Sequence, residues 1–196
     1  MAAFHIVNKK NLLFYFKKSS LSKTQGHIFI LIIFTQTTNV MKVNIGIAEK
    51  NLAGTATLLN SLLADEFTLY AKTRNYHWNV TGPNFIEMHK FFEGQYEELD
   101  EIMDSVAERV RMLGHFSLGS LNAFSKATRL TEGQDESTTP KMIQSLLDDH
   151  ETLARETRKD IDTVGDKYKD AGTADFLTGV LKSHEKMAWM LRSHLR

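Results

Sequence analysis

A chain of 196 residues, 42% hydrophobic and 24% charged, has the make-up of one ordinary globular domain able to bury a sizeable core. It contains no cysteine, which excludes disulfide frameworks and thiolate metal sites. Metal chemistry must then use histidine and carboxylates, a donor set suited to iron, manganese or zinc. The net charge of zero hides a split: residues 1–40 carry Lys9, Lys10, Lys17, Lys18 and Lys23 and no acid, so the other 19 basic and 24 acidic residues leave the body at −5. Such a body is not drawn to nucleic acid by its overall charge.

Residues 1–40 differ from the rest. Their apolar run, His27 to Phe34, is too short to span a bilayer as a helix. No small-residue cleavage site follows it, as a signal peptide would require. The chain proper is therefore expected to start at Met41, with residues 1–40 a non-native or disordered extension and residues 41–196 the domain. The alternatives are a mobile basic tail that touches DNA, and a targeting segment. The domain is expected in the cytoplasm.

From about Ala48 to Tyr76, Leu52, Leu59, Leu62, Leu63, Phe67 and Tyr70 keep helical spacings, and core packing accounts for the stripe. Gly82-Pro83 breaks the chain, and Asn84 is placed to cap a second helix from Phe85 to Gly114. Residues 114–136 form a long connection in which Leu121 to Ala127 supplies a short extra helix. Thr139-Pro140 is a good start for a third long helix, running to about Asp166. His150 lies in its apolar stripe and reads as a buried structural histidine. The turn from Tyr168 to Gly172 leads to a fourth long helix, Thr173 to Leu195. Four long helices with one longer crossover predict an all-α four-helix bundle, with the short extra helix in the crossover between helices two and three.

The chemistry concentrates between His77 and Gly114. His77 ends the first helix, and its ring can meet His89 across the turn. His89 and Glu93 lie one turn apart on the second helix, as do Asp104 and Glu108. His89, Asp104 and Glu108 fall within roughly 100° of one another on a straight helix, so all four residues share one broad stripe. Along the axis, however, His89 and Asp104 are separated by about 22 Å. Ligand bonds are only about 2.0–2.6 Å, so no single ion joins the two groups within one chain. An antiparallel copy of the helix, related by a two-fold axis near Glu98-Leu99, would bring the imidazole end of one chain to the acid end of the other. It would do so twice. No Glu-x-x-His occurs in the chain, which argues against a di-iron centre built within one subunit.

The pattern H-W-N-V-x-G-x-x-F-x-x-x-H from His77 to His89, then L-x-x-x-x-D-x-x-A-E-R from Leu99 to Arg109, Leu113-Gly114 and the T-A-D-x-L-T of Thr173 to Thr178, resembles the Dps mini-ferritins. The resemblance covers roughly Asn44 to Leu195 and implies the ferritin-like form of the bundle. It implies a ferroxidase that binds Fe(II), oxidises it to Fe(III), preferably with hydrogen peroxide, and stores the mineral in a hollow dodecamer built from two-fold dimers. On that reading His77, His89, Asp104 and Glu108 are catalytic and metal-binding. Glu93 is a further ligand, standing where the family pattern has aspartate. Trp78 is placed to trap radicals, or else is simply a packed interface aromatic. Asp170 and Asp175 are candidates for an acidic iron pore, although either also suits a helix end. The alternative function, compaction of DNA, would need the basic residues 1–40.

Overall fold

The computed structural model describes residues 43–133, 135–136 and 138–195, together with the backbone of three short strands nearer the N-terminus. The chain divides into two compact units, Met1–Met41 and Lys42–Arg196. In the first, β1 (Asn8–Lys9), β2 (Leu12–Phe16) and β3 (Leu31–Ile33) pair antiparallel in that order. The expectation of a non-native or disordered extension otherwise falls on residues outside those described.

The second unit is all-α, as expected, and no strand occurs among its described residues. It consists of α1 (Glu49–Asn79), α2 (Phe85–Met112), the short α3 (Leu121–Ala127), α4 (Thr139–Asp162) and α5 (Ala171–Ser193). With prolines only at positions 83 and 140, nothing interrupts the long helices from within. The breaks come where the sequence has glycine. Gly82 adopts φ +117° between α1 and α2, and Gly114 adopts φ +84° just after α2. Both are left-handed conformations that cost a side-chain-bearing residue energy. At Gly114 a Cβ would also lie 2.7 Å from the Val43 side chain.

Two antiparallel helix pairs, α1 with α2 and α4 with α5, face each other across a core that includes Leu59, Leu69, Phe92, Leu99, Leu153 and Met187. Phe67 and Tyr70, expected in that core, are only half-buried. Phe67 instead stacks on Phe124 of α3, with ring centroids 4.5 Å apart, and so holds the crossover helix against α1. Ser120 caps α3 by accepting from the Ala123 N–H. Two other helix starts differ in detail from expectation. Asn84 precedes α2 without a side-chain cap bond, and Thr138 rather than Thr139 precedes α4.

The crossover is pinned by a buried ion cluster. Asp65, fully buried on α1, accepts from Thr128 Oγ1 at 3.0 Å, the Arg129 backbone N–H at 2.5 Å and Arg129 Nε at 2.7 Å. Arg129 Nη1 also donates to Asp160 of α4 at 2.8 Å. Burial pushes the Asp160 carboxyl up, against the Arg129 guanidinium that pulls it down. One arginine thus ties the connection to two helices of the bundle.

α4 was expected to continue to about Asp166. It gives way after Asp162 to a wider π-helical turn, Thr163–Lys167, which brings Tyr168 over α1. A Cβ on Gly54 would meet the Tyr168 ring at 2.4 Å, so glycine allows this close packing. Asn51 of α1 donates to the Tyr168 carbonyl at 3.0 Å. Among the described residues no helix is long and apolar enough to cross a membrane.

Candidate metal centre

The turn at Gly82 folds the end of α1 against the start of α2 and brings His77 and His89 together. Their rings stack with centroids 3.7 Å apart. Each ring reaches the other's backbone: His77 Nδ1 lies 2.8 Å from the His89 carbonyl oxygen, and His89 Nδ1 lies 2.8 Å from the His77 carbonyl oxygen. A carbonyl only accepts, so both Nδ1 atoms carry the proton and donate. That fixes the tautomer. In each neutral ring the remaining lone pair is on Nε2, the nitrogen a metal ion can take. His77 is buried and His89 half-buried.

Glu93 follows one turn later, half-buried, with Oε1 accepting from the Tyr96 hydroxyl at 3.4 Å. The Tyr96 ring stands edge-on to His77, centroids 5.1 Å apart. Burial, then the neighbouring Glu93 carboxylate, push the Tyr96 phenol above its usual range. Asp104 and Glu108, at the far end of α2, are both exposed. Asp104 lines an open groove of about 430 Å³ with Leu63, Phe67, Asp100, Met103 and Phe124. Among the described residues, neither Asp104 nor Glu108 has an ion-pair partner. Nor do any three His, Asp or Glu side chains come together to hold an ion within the chain.

The other expected site residues fall as follows. Trp78 projects from the end of α1 with 64% of its surface exposed. Asp175 is exposed on α5, in its second turn because the helix starts two residues earlier than expected. Asp170 takes the second of the two roles open to it, that of a helix-end acid. It is 2% exposed and caps α5, accepting from Thr173 N at 2.9 Å and Thr173 Oγ1 at 2.6 Å. Arg109 approaches its Oδ1 at 3.4 Å. A carboxylate buried and committed to these donors does not line an aqueous pore.

A second polar group lies in the bundle core and was only partly visible in sequence. His150 of α4 is fully buried, as expected, but it is not isolated. Its Nδ1 is 2.9 Å from Nδ1 of His184 on α5, whose Nε2 lies 2.7 Å from Oε1 of Glu66 on α1. All three are completely buried. Among the described residues, Glu66 Oε2 and His150 Nε2 have no partner. Burial, and then the adjacent His184, hold the His150 imidazole well below its usual range, so it is neutral. The sequence signal was a glutamate standing at the helical spacing of Leu59, Leu62, Leu69 and Tyr76, where an apolar side chain belongs.

Comparison with known proteins bears on the fold and the family. The ferritin-like domain family matches residues 56–196. A low temperature-induced protein of Nostoc sp. is 44% identical over 155 residues, covering 79% of this chain and 87% of that protein. The DNA protection during starvation protein of Helicobacter pylori is 35% identical over 139 residues, covering 70% of this chain and 96% of that protein. Among solved structures, DpsC from Streptomyces coelicolor superposes with TM-score 0.76 at 29% identity, covering 79% of this chain and 91% of that one. A Dps protein from Vibrio cholerae, described as a member of a superfamily of ferritin-like diiron-carboxylate proteins, superposes with TM-score 0.75 at 31% identity, covering 81% of this chain and 100% of that one. The fold is that of a ferritin-like protein. Within that class the chain belongs to the Dps family of mini-ferritins.

Proposed function

We propose that two copies of the chain pack through antiparallel α2 helices and build two equivalent ferroxidase sites. Each site would take His77, His89 and Glu93 from one protomer and Asp104 and Glu108 from the other. The observation that carries this reading is the state of the two half-sites. The histidines are locked by reciprocal Nδ1–H bonds with Nε2 left for a metal. The acids are exposed about 22 Å along the same helix and, among the described residues, have no ion-pair partner. Neither half is sufficient alone, and a two-fold contact pairs each with its complement.

In the reaction, Fe(II) is substrate. Two ions give one electron each to hydrogen peroxide, the O–O bond breaks, and the ferric product hydrolyses: 2 Fe(II) + H2O2 + 2 H2O → 2 FeOOH + 4 H+. Imidazole and carboxylate hold Fe(II) and favour Fe(III), since the harder ion prefers oxygen donors. Taking both electrons at one site avoids release of hydroxyl radical. The mineral is held in a hollow homo-oligomer, a dodecamer of two-fold dimers, in the cytoplasm. Exposed Asp175 is the remaining candidate for its acidic pore. The Dps relatives support iron storage as the class of function, and several are named for DNA protection. DNA compaction by this chain would have to use residues 1–40, because the rest carries 24 acids against 19 bases.

Complementation tests the shared site. His89→Ala and Asp104→Ala each abolish rapid peroxide-driven iron oxidation. Co-assembled at equal amounts, they restore roughly a quarter of the sites, because a mixed dimer rebuilds one intact site of its two. A site lying within one chain restores none, and that result would refute the proposal.

A further inference from the structure

Around Arg74 the structure gathers three oxidisable rings. The guanidinium carbon lies 4.3 Å from the Tyr96 centroid, 5.4 Å from Trp78 and 5.5 Å from Tyr70. Arg74 Nη1 donates to the Tyr70 hydroxyl at 3.1 Å, and Tyr70 meets Tyr96 edge-on at 6.1 Å. Sequence position alone favours Trp78 as the sacrificial group, because it adjoins His77. The contacts favour another residue. Trp78 is largely exposed and approaches the cluster through Arg74, whereas Tyr96 touches two of the proposed ligands directly. Its ring edge meets His77, and its hydroxyl faces the Glu93 carboxylate.

We propose that Tyr96 is the one-electron donor of the site, supplying the second electron when peroxide meets a site holding a single Fe(II). This rests on the ferroxidase reading above. The balance is H2O2 + Fe(II) + Tyr–OH + H+ → 2 H2O + Fe(III) + Tyr–O•. The O–O bond and the phenolic O–H bond break, the iron and the ring are each oxidised by one electron, and the phenolic proton and one solvent proton end in water. The Glu93 carboxylate is the first acceptor along the proton's path. A second Fe(II) then restores the ring: Tyr–O• + Fe(II) + H+ → Tyr–OH + Fe(III).

The surrounding groups fit this role. A cation over a π face stabilises the electron-rich ring and opposes formation of a ring radical cation. Arg74 therefore makes Tyr96 hard to oxidise unless its proton leaves at the same time, and the hydroxyl is aimed at a carboxylate that can take it. The ring is thus insensitive to mild oxidants such as Fe(III), yet responds to the strong oxidant left when peroxide has gained only one electron. Tyr70, edge-on to Tyr96 and hydrogen-bonded to Arg74, offers a second position for the hole. Trp78 offers a third.

The test uses the full-length assembled protein. Shells loaded with one Fe(II) per site are mixed with hydrogen peroxide, frozen within milliseconds and examined by electron paramagnetic resonance. In parallel, tryptic peptides of the wild type are searched by mass spectrometry for hydroxylated tyrosine. The expected result is a tyrosyl signal in the wild type that is lost in Tyr96→Phe and kept in Trp78→Phe and Tyr70→Phe, with hydroxylation mapping to Tyr96. A tyrosyl signal that persists in Tyr96→Phe overturns the proposal. So does a wild type that oxidises iron without a tyrosyl signal or hydroxylation at Tyr96. Should Tyr96→Phe fail to assemble, the wild-type peptide map decides by itself: modification at Trp78 or Tyr70 without Tyr96 overturns the assignment. A wild type that oxidises no iron even when fully loaded fails the ferroxidase reading instead, and the two failures are told apart by that control.

Discussion

His150 should make the bundle acid-sensitive in a way that one substitution removes. It is fully buried between α4 and α5, and desolvation together with His184 holds it neutral in the folded state well below its usual range. In the unfolded chain it titrates near its ordinary pKa of about 6.5. The sign follows from linkage. Below that pH the unfolded state binds a proton that the folded state refuses, so stability falls as pH falls. The slope is about 1.4 kcal/mol per pH unit for one proton, or about 2 kcal/mol between pH 6.5 and pH 5. For a fold of this size each kcal/mol is worth roughly 2–4 °C, so this one group lowers Tm by about 4–8 °C over that interval. The groups facing His150 in the core are His184 of α5 and, through it, Glu66 of α1. The assay is thermal unfolding followed by circular dichroism at fixed protein concentration, iron-free, from pH 7.5 to 5. His150→Gln keeps a polar side chain but cannot titrate. It is expected to start less stable than the wild type at pH 7.5 and to lose about one proton's worth of slope. A variant whose Tm falls with pH as steeply as the wild type would refute the assignment of the acid sensitivity to His150.

Other substitutions probe the frame that holds the site. Asp65→Ala strips Thr128 Oγ1, the Arg129 backbone N–H and Arg129 Nε of their shared buried acceptor while Asp160 still pairs the guanidinium, and should cost about 1.5–3 kcal/mol; urea unfolding measures it, and a loss under about 1 kcal/mol would show the cluster to be solvated after all. Gly54→Ala drives a methyl into the Tyr168 ring and should cost about 1–3 kcal/mol. Tyr168→Ala in the same chain should remove that added penalty, as a double-mutant cycle in the same denaturant will read. Asp170→Ala removes the cap of α5 and should destabilise by about 0.5–2 kcal/mol, while leaving iron uptake into folded shells unchanged. Slowed uptake at unchanged stability would return Asp170 to the pore.

How far the sequence could be read depended on the range of the interaction. The short crossover helix was legible to the residue because its limits are local: Ser120 caps it, and Leu121, Ala123 and Phe124 supply the apolar side chains of a short helix. The pairing of His77 with His89 was legible because only a glycine turn separates them. The end of α4 was not. Nothing local marks a widening at Thr163–Lys167, which is held by bonds from Tyr168 to Thr163 and from Asp170 to Val164. Asp170 stayed open between two roles because a helix-end acid and a pore acid look alike in sequence, and Arg109, sixty-one positions away, is part of what distinguishes them. Glu66 escaped for the same reason, since its partner His184 lies 118 positions further on.

The two halves of the proposed site are prepared differently, and the difference follows from their place in the fold. The histidines sit at a chain reversal: the C-terminal end of α1 leaves the His77 carbonyl without a helical partner, and the turn lays it beside the first coils of α2, where the His89 carbonyl accepts a second bond from the His77 ring. Those carbonyls are the groups that lock each Nδ1, so the same turn that ends α1 also sets the direction of Nε2. Asp104 and Glu108 lie within α2, away from that reversal, where the backbone N–H donors are taken up by the helix ladder, and among the described residues no side chain orients them. A single chain can therefore pre-organise the imidazole half but not the acid half. On the proposed reading, the acids gain their geometry only from the partner subunit and the iron. The cost of ordering them then falls on assembly rather than on folding. Asp104→Ala should accordingly fold as stably as the wild type while losing iron oxidation, whereas His77→Ala should lose both, since its ring also holds the turn.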